Sequence, residues 1–264
     1  MNRPFVGIQI GAQTLYDEGI EHALDLLGRT CHLNALVVSA FGGGTHQGRW
    51  AVPPDNRADH GAPRPDPPHE VPAAWVHRHE EHYRGLRYRW PEEPDNHYGE
   101  RDILDELAEP AAKRGMALYP RVFQCRVDNP GGMLDEMDAD GRPTGHRCVN
   151  NPDWNAFSRA SFEDLATHHA QVAGIMYLQE RNGPLDEIFS RGASLEHVGH
   201  CFCDYCCDRA RAQGIDVERA RTGFRLLTEL AVAAHADEPR PSDGWFVSFI
   251  RLLTRYPEIG AWDA

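Results

Sequence analysis

Four of the seven cysteines in this 264-residue chain lie within one seven-residue segment, and they are its clearest chemical signal. Cys201, Cys203 and Cys206 form a C-x-C-x-x-C motif, in which a tight turn can bring three thiolates onto one ion. Tetrahedral zinc needs a fourth such ligand, at about 2.3 Å. Cys148 is the best candidate, because it precedes a predicted helix start in a loop expected at the same end of the sheet.

Two other residues beside this motif are fallback ligands. Cys207 follows Cys206 directly and should point away from a shared ion, and His200 precedes the motif. The alternative to a metal is a set of buried free thiols near a turn, although thiols this crowded are prone to oxidation. An odd number of cysteines in a chain of this length does not suggest a disulfide framework. Four thiolates leave no open position, so the predicted zinc is structural.

A single carboxylate is the second candidate for chemistry. Glu180 follows the predicted strand Gly174–Leu178, and catalytic groups of α/β barrels lie at the C-terminal ends of strands. A neighbouring apolar wall or second carboxylate would raise the pKa of Glu180 and make it a usable general acid, so Glu180 is a candidate catalytic residue. The alternative is a structural ion pair with Arg181 or Arg121. Arg121 ends the third strand and is either that partner or a ligand for a sugar hydroxyl or carboxylate.

Four further residues are candidates for substrate contact, with ordinary loop roles as their alternative. They lie at the two ends of the long segment that follows the second strand: His46, Trp50, His97 and Tyr98. Among them, Trp50 has a ring that can stack on a sugar.

Other histidines are not expected to form a site. His77, His79 and His82 have i, i+2, i+5 spacing, which differs from the i, i+4 pair of a zinc protease helix. We interpret them as a solvated face. His168 and His169 lie on a predicted helix and are interpreted as packing or surface residues.

The elements that must position these groups alternate between strands and helices. Buried strands are predicted at Phe5–Ile10, Leu36–Ala40, Met116–Phe123 and Gly174–Leu178, with helices between and after them. This alternation predicts a parallel sheet covered by helices. A (β/α)₈ TIM barrel needs eight strands, so we expect about its N-terminal half here, with the remainder absent or supplied by another chain. A small, complete doubly wound domain is the alternative.

The same alternation of strands and helices predicts one incomplete barrel domain over residues 1–264. Within it, residues 42–99 form a long insertion between the second strand and its helix, and residues 200–207 form the zinc-binding loop. Asn151-Pro152 predicts a helix start, and Pro110 predicts a kink or break in the preceding helix.

Charge and hydropathy restrict the partners. The formal net charge is −13, which argues against nucleic acid and anionic membranes, since both need clustered Lys and Arg. A neutral carbohydrate substrate is compatible with this charge, as is a homo-oligomer or a partner chain that completes the barrel. No segment looks like a signal peptide, and no run of about 18 apolar residues occurs, so a cytoplasmic location is expected.

The order of these motifs resembles the family 42 β-galactosidases and related, mostly uncharacterised glycosidase-like barrels. Three segments between about residues 101 and 215 carry the likeness: Cys148–Trp154, Gly174–Leu185 and Cys201–Arg209. The resemblance implies a (β/α)₈ barrel and glycoside chemistry at its C-terminal face.

The resemblance also implies site residues. It places a structural zinc on Cys148, Cys201, Cys203 and Cys206, and it matches Glu180 to the acid/base glutamate. In that family the glutamate follows asparagine, whereas here it follows Gln179. The family's nucleophile lies on the seventh strand, for which this chain has no matching position.

Two functions compete with a glycoside hydrolase. A barrel-type sugar isomerase or epimerase would need a second metal site of oxygen and nitrogen ligands at the barrel mouth. A non-catalytic carbohydrate-binding half-barrel would have no second acidic residue near Glu180.

Overall fold

A computed structural model describes residues 4–41, 72–91, 98–122, 135–144, 147–177, 200–236 and 241–263. These residues form a mixed α/β structure, and the chain divides into two compact units. The sheet unit comprises Met1–Asp128 and Phe157–Gln179, and the cysteine unit comprises Asn129–Ala156 and Glu180–Ala264. The single domain predicted over residues 1–264 stays a prediction.

The sheet unit is built on four parallel strands. They are β1 (Gly7–Ile10), β2 (Ala35–Ser39), β3 (Ala117–Val122) and β4 (Met176–Tyr177). Their order in the sheet is β1-β2-β3-β4, so each strand pairs with its neighbour along the chain. All four predicted strands and their parallel pairing are therefore confirmed; β2 is shifted by one residue, and the described parts of the other three are shorter than predicted.

Burial differs between the central and edge strands. Leu36 and Val38 of β2 are fully buried, as expected where helices cover both faces of a parallel sheet. In β1, Gly7 and Gln9 are exposed, so the prediction of a buried first strand is wrong. Among the described strands, β1 pairs only with β2. The Asn34 side chain anchors its start by accepting from the Val6 amide at 2.9 Å.

Five of the described helices include residues of the sheet unit. They are α1 (Ala12–Glu18), α2 (Ile20–Cys31), α3 (Glu80–Tyr83), α4 (Ile103–Lys113) and α5 (Pro152–His168), of which α5 enters this unit at Phe157. The buried side chains of α4 repeat every turn, which is the pattern of a helix packed on a sheet.

Helix α4 contains Pro110, at which the sequence predicted a kink or a break. Its N-cap residue Asp102 accepts hydrogen bonds from the amides of Leu104 (3.0 Å) and Asp105 (3.1 Å). The helix continues through Pro110 to Lys113, so the proline does not break it. Buried residues on both sides of the proline hold the helix, and these contacts outweigh the one backbone hydrogen bond that proline removes.

The described part of the cysteine unit is mainly helical. Its helices are α6 (Asp204–Ala212), α7 (Val217–His235), α8 (Trp245–Arg255) and α9 (Glu258–Asp263). Phe202, Phe224 and Ile259 are buried in one apolar cluster. Pro257 lies between α8 and α9, directly before the first residue of α9, and proline suits the start of a helix because its missing N–H has no partner there in any case.

Two absences bear on the fold within the described ranges. No strand follows β4 among the described residues. None of the helices seen there has both the length and the apolar character that a bilayer crossing requires.

Candidate metal centre

Local structure brings the four cysteines to one place. Cys203 is the N-cap residue of α6, and Cys206 lies in the first turn of that helix. Cys148 lies in the turn before α5, where its carbonyl accepts from the Asn151 amide at 3.1 Å. The Asn151 side chain in turn accepts from the Asp153 amide at 2.8 Å, which is the N-cap arrangement that the sequence predicted. Two helix starts therefore carry the sulfurs.

A short hairpin-like segment supports the motif. Met137 and Pro143 form an antiparallel bridge, and the Phe202 amide donates to the Met137 carbonyl at 2.7 Å. This bond fixes the backbone between Cys201 and Cys203. Met137 and Trp262 pack against the sulfur atoms, so apolar side chains cover part of the centre.

The distances between sulfurs fit a tetrahedral ion. The Sγ atom of Cys148 lies 3.4 Å from the Sγ atoms of both Cys203 and Cys206. All four sulfurs, with Cys201 included, lie within 4.8 Å of one another. In a regular tetrahedron with bonds of about 2.3 Å, the ligand atoms are about 3.8 Å apart. The cysteines are free thiols rather than disulfides, whose sulfurs would be about 2.05 Å apart.

The thiols influence one another's protonation. Hydrogen bonding with Cys201 lowers the pKa of Cys148, and hydrogen bonding with Cys148 lowers the pKa of Cys203. Hydrogen bonding with the same Cys148 sulfur raises the pKa of Cys201 and of Cys206, because each of these thiols donates its proton to a neighbouring thiolate. Four thiolates this close repel one another unless a cation lies among them, and coordination by a metal deprotonates thiols.

Hydrogen-bond donors surround the sulfurs. The Asn150 side-chain amide donates to the Cys206 sulfur at 3.3 Å, and the Cys203 amide donates to the Cys201 sulfur at 3.5 Å. Arg209 fixes the Asn150 side chain through a 2.7 Å bond to its Oδ1 atom. N–H groups that donate to ligand sulfurs are typical of metal-thiolate sites, because they offset negative charge on sulfur.

The two fallback ligands lie elsewhere in the cysteine unit. The Cys207 thiol donates to the Phe202 carbonyl at 3.3 Å, and burial raises its pKa. Its position agrees with the prediction that it points away from the shared ion. His200 stacks on Phe224, with ring centroids 4.1 Å apart, so it acts as a packing residue.

Four predicted site residues lie outside the described residues: Glu180, His46, Trp50 and His97. Their roles stay predictions. Two others are visible in the sheet unit. Tyr98 is 7% exposed, and its hydroxyl donates to Asp17 at 3.0 Å. It also packs on Trp75, with centroids 5.0 Å apart, so its ring belongs to an aromatic cluster.

Arg121 occupies the position on β3 that the sequence predicted. It pairs in register with Ser39 of β2 and with Met176 of β4, near the C-terminal end of the sheet. Its carbonyl accepts from the Ala40 amide at 3.1 Å. A contact between its guanidinium and a sugar stays a prediction.

Sequence reasoning missed a histidine-carboxylate group in the sheet unit. The Asp164 carboxylate, with a side chain 6% exposed, lies 2.7 Å from Nδ1 of His79. It also accepts from the His79 amide (3.1 Å) and from the Tyr83 hydroxyl (3.0 Å). Burial raises the pKa of Tyr83, and the nearby Asp164 carboxylate adds to this effect. The interpretation of His79 as part of a solvated face is therefore wrong, because its ring and its amide both contact a buried carboxylate.

Comparison of the chain with known proteins identifies no relative. No protein-family model, curated protein or solved structure matches the chain. The likeness to family 42 β-galactosidases thus depends on the motifs themselves.

Proposed function

We propose that this chain is a glycoside hydrolase of the (β/α)₈ type, in which a structural zinc ion holds loops beside a catalytic glutamate. The convergence of the Cys148, Cys201, Cys203 and Cys206 sulfurs carries the proposal, since the resemblance to family 42 β-galactosidases requires these four ligands. The chain spacing between Cys148 and the motif is long, so free thiols would have little reason to meet.

Strand order supports a barrel over a doubly wound sheet. In doubly wound folds the strand order reverses near the first strand, which creates the crevice where ligands bind. A barrel instead adds each new strand beside the previous one. The order β1-β2-β3-β4, without reversal, follows the barrel rule for the described strands.

The donor set favours zinc and a structural role. Four thiolates in tetrahedral geometry select zinc or an iron-sulfur type of centre, and hard ions such as magnesium prefer oxygen ligands. With all four positions taken by sulfur, no site is left for water or substrate. The ion therefore stabilises the fold and leaves chemistry to other residues.

Glu180 is the proposed proton donor to the leaving group. A carboxyl group in this role must be protonated before the bond breaks, and in a retaining mechanism it then accepts the proton of the incoming water. The second carboxylate of the pair is not assigned.

Hydrolysis of aryl glycosides tests the proposal. We expect the protein, purified together with the segment or partner chain that supplies the rest of the barrel, to hydrolyse at least one nitrophenyl glycoside, and Glu180→Gln to lower kcat/KM by about 10²–10⁴-fold. The loss should shrink for dinitrophenyl glycosides, whose leaving group needs less protonation. Glu163→Gln, an exposed change on α5, is the matched control and should keep wild-type activity. A wild-type protein without turnover, or an unaffected Glu180→Gln variant, would contradict the proposal.

One observation favours a second candidate, a metal-dependent sugar isomerase. Glu81, His82 and His168 offer nitrogen and oxygen ligands within 4.8 Å of one another. The segment that carries Glu81 and His82 leaves the C-terminal edge of the sheet, because the Trp75 amide donates to the Ala40 carbonyl just beyond β2. Conversion of an aldose to a ketose that depends on an added divalent ion would support this alternative.

A further inference from the structure

A second group of metal-ligating side chains lies in the sheet unit, where α3 meets the C-terminal end of α5. The Nε2 atoms of His82 and His168 are 3.4 Å apart. The Glu81 carboxylate lies 3.9 Å from Nε2 of His168, and all three ligand atoms fall within 4.8 Å of one another. The group therefore offers two imidazole nitrogens and one carboxylate oxygen.

The two imidazoles are better placed to share an ion than to share a proton. With metal–nitrogen bonds of about 2.0–2.1 Å, tetrahedral geometry puts ligand nitrogens about 3.3–3.4 Å apart. The His82–His168 nitrogen distance has this value. As a hydrogen bond it is long, since N–H donors lie at about 2.7–3.2 Å from their acceptors.

Ring orientation selects His82 over His79 as the partner of His168. The rings of His79 and His168 are stacked at 3.4 Å with only 9° between their planes. Lone pairs in two nearly parallel planes at this separation do not meet at one point. The rings of His82 and His168 stand at 90°, so their in-plane lone pairs can converge on a common ion.

The surrounding residues hold this arrangement. The buried Asp164 carboxylate fixes His79 through both its ring and its amide, as described above. The stacked His79 ring then sets the plane of His168, which is the orienting role of outer-shell groups in metal sites. His79 and Asp164 are thus positioning residues.

We propose that His82, His168 and Glu81 bind a divalent transition-metal ion such as Zn²⁺, Ni²⁺ or Co²⁺. Two imidazoles and a carboxylate suit these ions better than Mg²⁺ or Ca²⁺, which prefer all-oxygen sites. Three protein ligands leave at least one position for water or for a hydroxyl or carboxylate of a ligand. This site shares no residue with the cysteine centre and does not depend on the proposed glycosidase activity.

Metal titration tests the site. The protein as purified is dialysed against a weak chelator and then titrated with Ni²⁺ by calorimetry. We expect one exchangeable equivalent per chain for the wild type. His82→Ala and His168→Ala should each weaken this binding by about a hundredfold or more, because loss of an outer-shell partner alone costs about 10–100-fold.

Controls separate this site from general surface binding and from misfolding. His22→Ala removes an exposed histidine on α2 and should bind Ni²⁺ as tightly as the wild type. Circular dichroism melting identifies any variant that fails to fold. If His168→Ala fails to fold, the test is decided by His82→Gln, which changes a residue on the short helix α3. The proposal is overturned if the wild type binds no exchangeable ion, if the folded His82 variants bind like the wild type, or if His22→Ala weakens binding equally.

Discussion

The two metal-ligating centres of this chain differ in donor type, burial and origin in the sequence. The cysteine centre has four soft ligands, and Cys148, Cys203 and Cys206 are each at most 8% exposed. The histidine centre has nitrogen and oxygen ligands near the surface, with a His168 side chain that is 29% exposed. The first arrangement is closed and suits an ion that stabilises a fold. The second leaves room for exchange, which suits an ion that binds and leaves.

What supports each centre also differs. The sulfurs repel one another when ionised, and the ion proposed above would stabilise their arrangement. The histidine centre is held by hydrogen bonds and stacking among His79, Tyr83, Asp164 and His168, which exist without any ion. Metal removal should therefore affect the stability of one centre strongly and the other weakly.

The largest effect is expected from loss of a sulfur ligand. Cys203→Ser should release the zinc and lower the free energy of unfolding by several kcal/mol, since structural zinc contributes about 10–16 kcal/mol to folding in small peptides. Serine is a good N-cap residue, so α6 itself should not be weakened by the change. Urea unfolding with metal analysis measures both quantities.

A neighbouring cysteine supplies the control for that variant. Cys207→Ser changes a buried thiol outside the cluster, and it should keep the metal with a loss of about 1 kcal/mol. The comparison between the centres fails if Cys203→Ser retains its metal or if the two variants lose equal stability.

A smaller effect is expected in the histidine centre. Asp164→Ala removes the acceptor for the His79 amide, the His79 ring and the Tyr83 hydroxyl. Part-buried donors left without a partner should lower the free energy of unfolding by about 3 kcal/mol in total. The metal content of the cysteine centre should not change.

Thermal unfolding and metal analysis check this result. Glu163→Ala, at an exposed position one residue earlier, should be neutral within about 0.5 kcal/mol. If Asp164→Ala is equally neutral, hydrogen bonds do not hold the histidine centre, and the contrast with the cysteine centre is lost.

The difference between the centres also explains what the sequence could predict. The spacing of Cys201, Cys203 and Cys206 is local, so a turn alone brings the ligands together. His82 and His168 are 86 residues apart, and only the packing of α3 against α5 makes them neighbours. Their spacing along the chain carries no metal signal.

The fold shows the same limit. Apolar runs predicted β2 and β3 within two residues of their observed ends, because β2 is buried on both faces and every second residue of β3 is buried. The exposure of β1 was not predictable, since it depends on the position of that strand at the edge of the described sheet. The barrel itself stays a proposal supported by strand order.

The smallest effect concerns an ion pair in the cysteine unit. Nε of Arg219 on α7 lies 2.6 Å from Oε1 of Glu258 on α9, and this hydrogen bond lowers the pKa of Glu258 below its ordinary value of 4.5. The unfolded chain therefore takes up the proton first as the pH falls. The pair contributes stability above about pH 4.5, and this contribution is lost as the pH falls through the folded pKa.

We expect this contribution to be below about 1 kcal/mol, because the Arg219 side chain is 48% exposed. Glu258→Gln should remove it, so that the variant is slightly less stable than the wild type at pH 7 and equally stable near pH 3. Urea unfolding at both pH values measures the difference. A larger loss in acid for the variant than for the wild type would contradict the assignment.

X-ray absorption at the zinc edge tests the central claim most directly. For protein dialysed against a weak chelator, we predict one zinc ion per chain with four sulfur neighbours at about 2.3 Å and no nitrogen or oxygen in the first shell. Protein that holds no zinc after this treatment, or zinc with a nitrogen or oxygen ligand in place of a sulfur, would contradict the account.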